Sequence, residues 1–275
     1  MSKHEVKQYI KNDNITALAI DSHAHLDRDL DFLKIVKNLK EDGLKKVVMM
    51  AGNIETAKWA SKKANENNNL YYMFGLHPYD IDLLNDEYIS LIKHLRSTDK
   101  KLVGLGEIGL DYHESEWLKP KEEQIEGFVR QLKIANELKL PVSIHIRDAH
   151  EDAIKVLNEN RNLLNNGGII HCCSAEKVEV QAYLNLGFHI SFSGSITYGK
   201  KNKEFYLEET LKMVPLDKLL IETDCPFLCP SPYRGTINEP KYVLVTAEHI
   251  ANVLGLDVNE LINITTKNAE KLLKI

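Results

Sequence analysis

Six histidine and acidic residues fall at or just beyond short apolar segments of the chain, a pattern typical of a metal site. They are His23, His25, Glu107, His145, His171 and Asp224. Imidazole and carboxylate groups are common ligands of zinc and manganese, and the carboxylates also admit magnesium. Taken singly, each histidine is as easily explained as a residue of the core, but the set as a whole is not.

The number of these ligands predicts two divalent cations, because four imidazoles and two carboxylates exceed what one tetrahedral ion uses. Glu107 is the candidate bridge between the ions, and Asp224 is the candidate acceptor of the proton from water. Both are therefore candidate catalytic residues. His23 and His25 are two apart, so an extended chain turns both imidazoles to the same side.

Three further residues are candidates for contact with a substrate. His77 ends an apolar segment and is expected to touch substrate, with a packing role as the alternative. Arg147 lies just beyond His145, and its guanidinium is suited to bind a phosphate. Arg234 is a second candidate for binding a phosphate. Asp148 is expected to cap the following helix.

Glu222 precedes Asp224 by two residues, and we expect it to be a buried, hydrogen-bonded partner of the ligands. The glycines on either side of Glu107 do not open a helix, as a phosphate-binding loop requires. Gly106 and Gly109 instead indicate a close approach of the backbone near the metals.

Eight short apolar segments alternate with longer amphipathic stretches and are predicted to be strands. They cover residues 15–21, 46–51, 71–76, 102–107, 141–145, 168–171, 189–193 and 219–224. The clearest helical pattern places apolar residues at steps of three and four, at Ile125, Phe128, Leu132, Ala135 and Leu138. This order predicts an α/β fold, a single-domain (β/α)₈ TIM-type barrel over residues 1–275, in preference to an open doubly wound sheet. Such barrels build their active sites at the C-terminal ends of the strands.

The composition indicates a globular protein with no overall attraction for nucleic acid. Of 275 residues, 43% are hydrophobic and 27% charged, and the net charge is −5. Recognition of a phosphate must therefore be local. Residues 1–14 form a polar N-terminal extension without the apolar centre of a secretory signal. The apolar runs are too short to cross a bilayer, so a cytoplasmic protein with no membrane contact is expected.

Four cysteines, Cys172, Cys173, Cys225 and Cys229, are interpreted as free thiols of a reducing compartment. A zinc site built from them is the alternative. We disfavour it because two adjacent cysteines do not easily turn both sulfur atoms to one ion.

Six motifs in this order resemble the TatD-type metal-dependent deoxyribonucleases, within the amidohydrolase-like barrel hydrolases. They are residues 21–27 (DSHAHLD), 75–78 (GLHP), 106–112 (GEIGLDY), 141–149 (PVSIHIRDA), 171–172 (HC) and 222–226 (ETDCP). The resemblance implies a (β/α)₈ barrel in which the six residues named first are metal ligands. It also implies hydrolysis of phosphodiester bonds in DNA.

Two departures from the family pattern are visible. Ser174 is followed by Ala175, where the family commonly has Ser-Gly. Residues 234–240 read RGTINEP, so Thr236 and Ile237 stand where the family often has lysine and arginine. Because those cations can contact a phosphate backbone, their replacement predicts weak, local binding of DNA.

The leading interpretation is therefore a deoxyribonuclease, exonucleolytic in action, that uses two divalent cations and no organic cofactor. It is expected to be a monomer or a small homo-oligomer. The alternative keeps the metal site but changes the bond, as in an amide or carboxyl-ester hydrolase such as an aminoacyl-tRNA deacylase. A non-catalytic binding protein on the same barrel is disfavoured, because the ligand set is complete.

Overall fold

The computed structural model describes residues 9–27, 30–199 and 206–275. Its strands form one parallel sheet, and each strand pairs with the next one in the sequence. The strands are β1 (Ala19–Ala24), β2 (Leu44–Ala51), β3 (Leu70–Phe74), β4 (Leu102–Asp111), β5 (Val142–Arg147), β6 (Gly168–Ile170), β7 (His189–Phe192) and β8 (Leu219–Ile221).

Helices follow the strands along the described chain. They are α1 (Phe32–Asn38), α2 (Ile54–Glu66), α3 (Asp86–Thr98), α4 (Lys121–Leu138), α5 (His150–Glu159), α6 (Lys177–Asn185), α7 (Tyr206–Leu211), α8 (Val243–Leu254) and α9 (Val258–Leu273). None of the described helices is both long and apolar enough to cross a membrane.

The first and last strands meet through the segments at their C-terminal ends. Ala24 forms a parallel bridge with Cys225. The backbone N–H of His25 donates to the carbonyl oxygen of Cys225 at 2.8 Å, and the N–H of Asp224 donates to that of His23 at 2.9 Å. The sheet is thereby nearly closed, which confirms the predicted barrel. The same bonds hold three candidate ligands at the seam.

The predicted C-terminal ends of the strands that carry candidate ligands are wrong by one to four residues, and β6 and β8 end before His171 and Asp224. β4 does not end at Glu107 but continues to Asp111, because Gly109 and Asp111 still pair with β5. β1 runs to Ala24, so His23 lies within the strand and does not follow it. His145 likewise lies inside β5.

Helix α4 shows how the outer layer packs on the barrel. The predicted apolar face is confirmed, with Phe128, Leu132 and Ala135 buried and Ile125 and Leu138 packed against the core. Because these residues recur at steps of three and four, they form one stripe against the strands.

A separate apolar cluster fills the barrel interior from the end closed by α9 up to the cavity, where its residue Met50 forms part of the lining. Its residues come from strands on opposite sides of the ring, such as Val48 of β2 and Ile169 of β6, so they meet across the interior. Ala269 and Leu273 of α9 belong to the same cluster. The last helix therefore closes the end of the barrel that lies away from the candidate ligands.

Residues 1–8 of the predicted N-terminal extension lie outside the described residues. From Tyr9 onward the chain lies against the segment that follows β8, where the Tyr9 ring packs 5.8 Å from that of Tyr233 and 5.0 Å from that of Tyr242.

Candidate metal centre

The six residues predicted as metal ligands come together at the C-terminal ends of the strands. Five of them line a cavity of about 930 Å³: His25, Glu107, His145, His171 and Asp224. His23 is fully buried, and its Nε2 lies 2.9 Å from Oε2 of Glu107. Residues that lie far apart in the sequence are therefore gathered around one carboxylate.

Glu107 lies at the centre of the imidazoles. Its Oε2 lies 3.7 Å from Nε2 of His25 and 3.8 Å from Nε2 of His171, while its Oε1 lies 3.4 Å from Nδ1 of His145. Burial raises the pKa of this carboxyl, but the imidazoles, His171 first, outweigh burial and hold the pKa well below its usual range. Glu107 is therefore an ionised carboxylate, with three imidazoles near its Oε2 and two others near its Oε1.

On one side of Glu107, two imidazoles and a second carboxylate converge. The Nε2 atoms of His23 and His25 are 3.3 Å apart, and Oδ1 of Asp224 lies 3.6 Å from the first and 3.4 Å from the second. These three residues offer ligand atoms that all lie within 4.8 Å of one another.

On the other side, Nδ1 of His145 and Nε2 of His171 face each other at 3.2 Å. The second ring nitrogen of His171 lies 3.2 Å from Oε1 of Glu222, which is fully buried and also accepts the backbone N–H of Cys172 at 2.7 Å. The prediction that Glu222 is a buried, hydrogen-bonded partner is confirmed. Burial lowers the pKa of His171, but the carboxylates of Glu107, Glu222 and Asp224 outweigh it and raise the pKa to about 9.

Asp111 is a member of the site that the sequence analysis missed. Its Oδ2 lies 2.8 Å from Nε2 of His145, and the residue is 1% exposed. A carboxylate on the outer nitrogen of an imidazole fixes the ring and its tautomer, as it does for many metal-ligating histidines. The spacing between Glu107 and Asp111 could have indicated this role, because the two residues are four apart on one strand.

His77 also lies in the cavity wall. Its Nδ1 accepts the backbone N–H of Tyr79 at 3.2 Å, and its Nε2 lies 3.5 Å from Oε1 of Glu107. Burial, then the neighbouring His145, lowers the pKa of His77 to about 4, so the imidazole is neutral near pH 7. With Asp111 and His145 it forms a further group of potential ligand atoms, besides those of His23, His25 and Asp224 and of His23, Glu107 and His171.

The two arginines that were predicted to contact substrate occupy different positions. Arg147 is exposed and lines the cavity, whereas Arg234 does not appear among the described lining residues. The guanidinium of Arg234 lies over the ring of Tyr198, 4.0 Å from its centroid. Contact of either arginine with substrate stays a prediction.

The prediction that Asp148 caps the next helix is wrong. Helix α5 begins after Ala149 and has no side-chain hydrogen bond at its N-terminus. The Asp148 carboxylate instead lies 3.2 Å from Nδ1 of His113. The backbone of Asp148 has a φ of +53°, so the residue makes a turn at the cavity rim that a capping residue in extended conformation does not make.

The glycines beside Glu107 allow β4 to approach β5 closely, as predicted. A Cβ on Gly109, whose φ is +144°, would lie 2.0 Å from the carbonyl oxygen of His145. A Cβ on Gly106 would lie 2.7 Å from the Cβ atom of Ser143. Two ligand-bearing strands therefore run together only because these positions lack side chains.

The four cysteines are free thiols, as predicted. Cys172 lines the cavity, and its Sγ lies 3.1 Å from Oγ of Ser193. Burial raises the pKa of the Cys172 thiol well above its usual range. Within the described ranges, none of the potential metal-ligand groups includes a cysteine.

The donor atoms fit metal ions better than they fit hydrogen bonds. Nε2 of His23 carries at most one proton, yet Nε2 of His25 and one oxygen each of Glu107 and Asp224 surround it. Among the described residues, Oε2 of Glu107 is buried without a hydrogen bond of good geometry, although Nε2 of His23 lies 2.9 Å away. Divalent cations held by these residues would accept lone pairs of several of these atoms at once.

A nearly closed barrel with such a ligand set at its C-terminal mouth defines a metal-dependent hydrolase of the TIM-barrel type. The family model for TatD-related DNases matches residues 20–274. This chain therefore belongs to the TatD family of metal-dependent hydrolases.

Relatives in the family support the assignment. The chain is 37% identical over 262 residues to the uncharacterized metal-dependent hydrolase YabD of Bacillus subtilis, covering 94% of this chain and 100% of that one. It is 30% identical over 249 residues to the 3'-5' ssDNA/RNA exonuclease TatD of Rahnella, covering 89% and 92%. The crystal structure of the TatD homolog YjjV from Escherichia coli superposes with a TM-score of 0.85 at 26% identity, covering 94% and 98%.

Proposed function

We propose that this hydrolase cleaves phosphodiester bonds of DNA, starting from the end of a strand. The observation that carries the proposal is the position of Glu107, whose Oε2 faces three imidazoles and whose Oε1 faces two others around one open cavity. This arrangement suits a pair of cations acting on one phosphate. The relative named as a 3'-5' ssDNA/RNA exonuclease supports the choice of substrate.

Glu107 is proposed to be shared between two cation sites. His23, His25 and Asp224 would hold the first ion, and His145 and His171 the second. Divalent cations held by these residues would lower the pKa of a water from about 15.7 towards about 7 and would neutralise charge on the phosphate. Zinc, manganese and magnesium are all compatible with these donors.

Asp224 is proposed to accept the proton that the attacking water loses. Burial raises the pKa of this carboxyl, but hydrogen bonding to His25 and the charges of the other imidazoles outweigh burial and lower the pKa below its usual value. The group is therefore ionised at neutral pH and ready to take a proton. Arg147 is proposed to bind a non-bridging oxygen of the phosphate.

The charge of the cavity rim favours contact with a short piece of DNA. Arg147 is the single lysine or arginine among the described residues that line the cavity. Three exposed aspartates, Asp27, Asp80 and Asp148, line it as well. A phosphate backbone running along this rim would meet more like charge than opposite charge, so the extended substrate is expected to lie outside the cavity.

Hydrolysis assays after metal exchange test the proposal. Protein stripped with a chelator and reloaded with manganese, zinc or magnesium is given end-labelled single-stranded DNA and, separately, an aminoacyl ester. We expect metal-dependent release of nucleotides from one end and close to two ions per chain. Ester hydrolysis without DNA cleavage would make the protein a carboxyl-ester hydrolase instead. Metal binding that saturates at one ion per chain would overturn the site in which Glu107 is shared.

The salt dependence of binding tests the local nature of the contact. Each phosphate neutralised contributes about 0.7 to 0.9 to the log–log slope of affinity against salt. We expect a slope of magnitude below about three for the inactive Asp224→Asn variant. Adding Ile237→Arg should steepen it, since Ile237 is 57% exposed on the segment after β8. A steep slope without that change would contradict local binding.

A further inference from the structure

Phe227 presents an aromatic surface beside the candidate metal ligands, and the proposed hydrolysis gives this ring no role. The side chain is 47% exposed even though the residue lines the cavity. Its ring centroid lies 6.0 Å from that of His25, at an interplanar angle of 69°. A large apolar surface is thus kept in contact with water directly beside the reaction centre.

The backbone under this ring is held firmly. The buried Asn238 side chain donates to the carbonyl oxygens of Thr223 and Phe227, at 2.9 Å and 2.5 Å. The N–H of Phe227 donates to the carbonyl oxygen of Asp224 at 3.0 Å. The same short segment therefore fixes a candidate ligand and the aromatic ring relative to each other.

The loop after β7 packs against the segment that carries this ring. A Cβ on Gly194 would lie 2.2 Å from the carbonyl oxygen of Leu228. The hydroxyl of Tyr198 donates to the carbonyl oxygen of Cys229 at 2.9 Å, and the N–H of Ser231 donates to Thr197 at 2.8 Å. Leu228 and Ser195 also line the cavity, so the part of the wall that carries the Phe227 ring is held in place by these contacts.

The other non-histidine aromatic residue among the described lining residues is differently arranged. Tyr79 lies edge-on to His77 at 4.7 Å, and its hydroxyl donates to the carbonyl oxygen of His113 at 3.4 Å. Tyr79 is only partly accessible, whereas Phe227 is exposed. The wall near His25 and Asp224 is therefore the better platform for a flat ligand.

We infer that Phe227 is a stacking platform for the nucleobase of the nucleotide whose phosphate enters the metal centre. This role rests on the proposed function and adds to it a second recognised part of the substrate, the nucleobase, besides the phosphate. Nucleobases stack on aromatic side chains with little dependence on sequence, because every base has a π face. An enzyme that removes successive nucleotides needs this kind of contact, since it must accept each base in turn.

The decisive comparison uses two substrates that differ by one base. A single-stranded oligonucleotide ending in adenine is compared with the same strand ending in an abasic tetrahydrofuran residue. We expect the metal-loaded protein to favour the base by about 5- to 150-fold in kcat/KM, chiefly through KM. Phe227→Leu should remove most of that preference, and Phe227→Trp should retain it.

Trp117→Leu is the matched control, because Trp117 is 64% exposed but does not line the cavity. It should leave the preference unchanged. An undiminished preference in Phe227→Leu, or equal cleavage of both substrates by the unmodified protein, would overturn the stacking role while leaving phosphodiester hydrolysis intact.

Binding measurements test the stacking role of Phe227 separately from the nuclease activity. Deoxyadenosine monophosphate and deoxyribose 5-phosphate are titrated into the metal-loaded protein, and quenching of a terminal 2-aminopurine reports stacking. Tighter binding of the nucleotide that depends on Phe227, in a protein that fails to cleave DNA, would support the platform and reject the nuclease. No advantage of the nucleotide over the sugar phosphate would reject the platform.

Discussion

The two ends of this barrel are built from the same eight strands, yet their side chains serve opposite purposes. At the N-terminal end, residues such as Val48, Ile169 and Leu220 form a dry cluster closed by α9. At the C-terminal end, imidazoles and carboxylates surround Glu107, and within the described residues Nδ1 of His23 and Oε2 of Glu107 are buried without a hydrogen-bond partner of good geometry. Stability is therefore concentrated at one end and chemistry at the other, as in other enzymes of this fold.

This separation explains how the protein tolerates an electrostatically costly site. Buried ionisable groups are expensive unless they are paired, and the metal centre contains several of them. The apolar cluster and the helices packed outside the strands do not depend on those groups. Substitutions at the two ends should therefore affect activity and stability independently.

The largest effect on activity is expected at Glu107. Glu107→Ala should reduce kcat/KM by several orders of magnitude, because it removes the carboxylate that both ion sites share. The fold should survive, since no apolar contact is lost, and circular dichroism of the metal-free variant checks this.

Glu137→Ala is the control for removing a glutamate. Glu137 is an exposed residue of α4 that pairs with Lys93 at 2.8 Å. Such surface pairs contribute little, so activity and stability should both be retained. An active Glu107→Ala protein would exclude Glu107 from the mechanism.

The largest effect on stability is expected at Leu220, which is 1% exposed in the apolar cluster. Leu220→Ala should lower the free energy of unfolding by about 2–5 kcal/mol, measured by urea denaturation, because it leaves a cavity. At a temperature where the variant is folded, kcat should be unchanged.

Leu216→Ala is the matched control, since Leu216 is 39% exposed just before β8. Its effect on stability should be within about 0.5 kcal/mol. A fall in kcat of the folded Leu220→Ala protein would show that the two ends are coupled.

The sequence predicted the barrel because alternation of apolar segments and amphipathic helices depends on burial, which acts along the whole chain. It also predicted that the six candidate ligands, from His23 to Asp224, meet at one end, since the C-terminal ends of parallel strands share one edge. Their convergence is observed, and their roles as ligands remain a proposal.

The sequence could not predict the boundaries of the strands that carry the ligands. β1 and β4 contain irregularities of register, between Asp21 and Ala24 and between Gly106 and Ile108. Strict alternation of inward and outward residues fails at such irregularities. Asp111 was missed for this reason, because the apparent end of the strand at Glu107 placed it in a loop.

An intermediate effect is expected from the buried carboxylate behind His171. Glu222→Gln should weaken metal affinity by about 10- to 100-fold, because a neutral amide orients and polarises the imidazole less strongly. A competition titration against a chelating dye measures the affinity. At saturating metal, kcat should recover most of its value.

The control at the other end of the barrel is Glu270→Gln on α9. Glu270 lies 2.7 Å from Nζ of Lys45 and 3.3 Å from Nζ of Lys46. It has no contact with the metal centre, so metal affinity should be unchanged. Equal affinities for the Glu222→Gln variant and the unmodified protein would mean that Glu222 is only structural.

The smallest effect concerns His189, the histidine at the start of β7, at the apolar end of the barrel. Burial, then the charge of Lys218, lowers the pKa of His189 to about 4. The unfolded chain binds this proton near pH 6.5 and the folded protein only near pH 4, so folding loses stability as pH falls between these values. His189→Gln should remove that part of the loss, on the order of 1 kcal/mol because the imidazole is only half-buried.

Urea denaturation of the metal-free protein at pH 7 and pH 5 measures the difference, with His94→Gln on the exposed face of α3 as control. Identical pH dependence in the His189→Gln and unmodified proteins would show that the apolar end contributes nothing to acid sensitivity, which would then arise elsewhere in the protein.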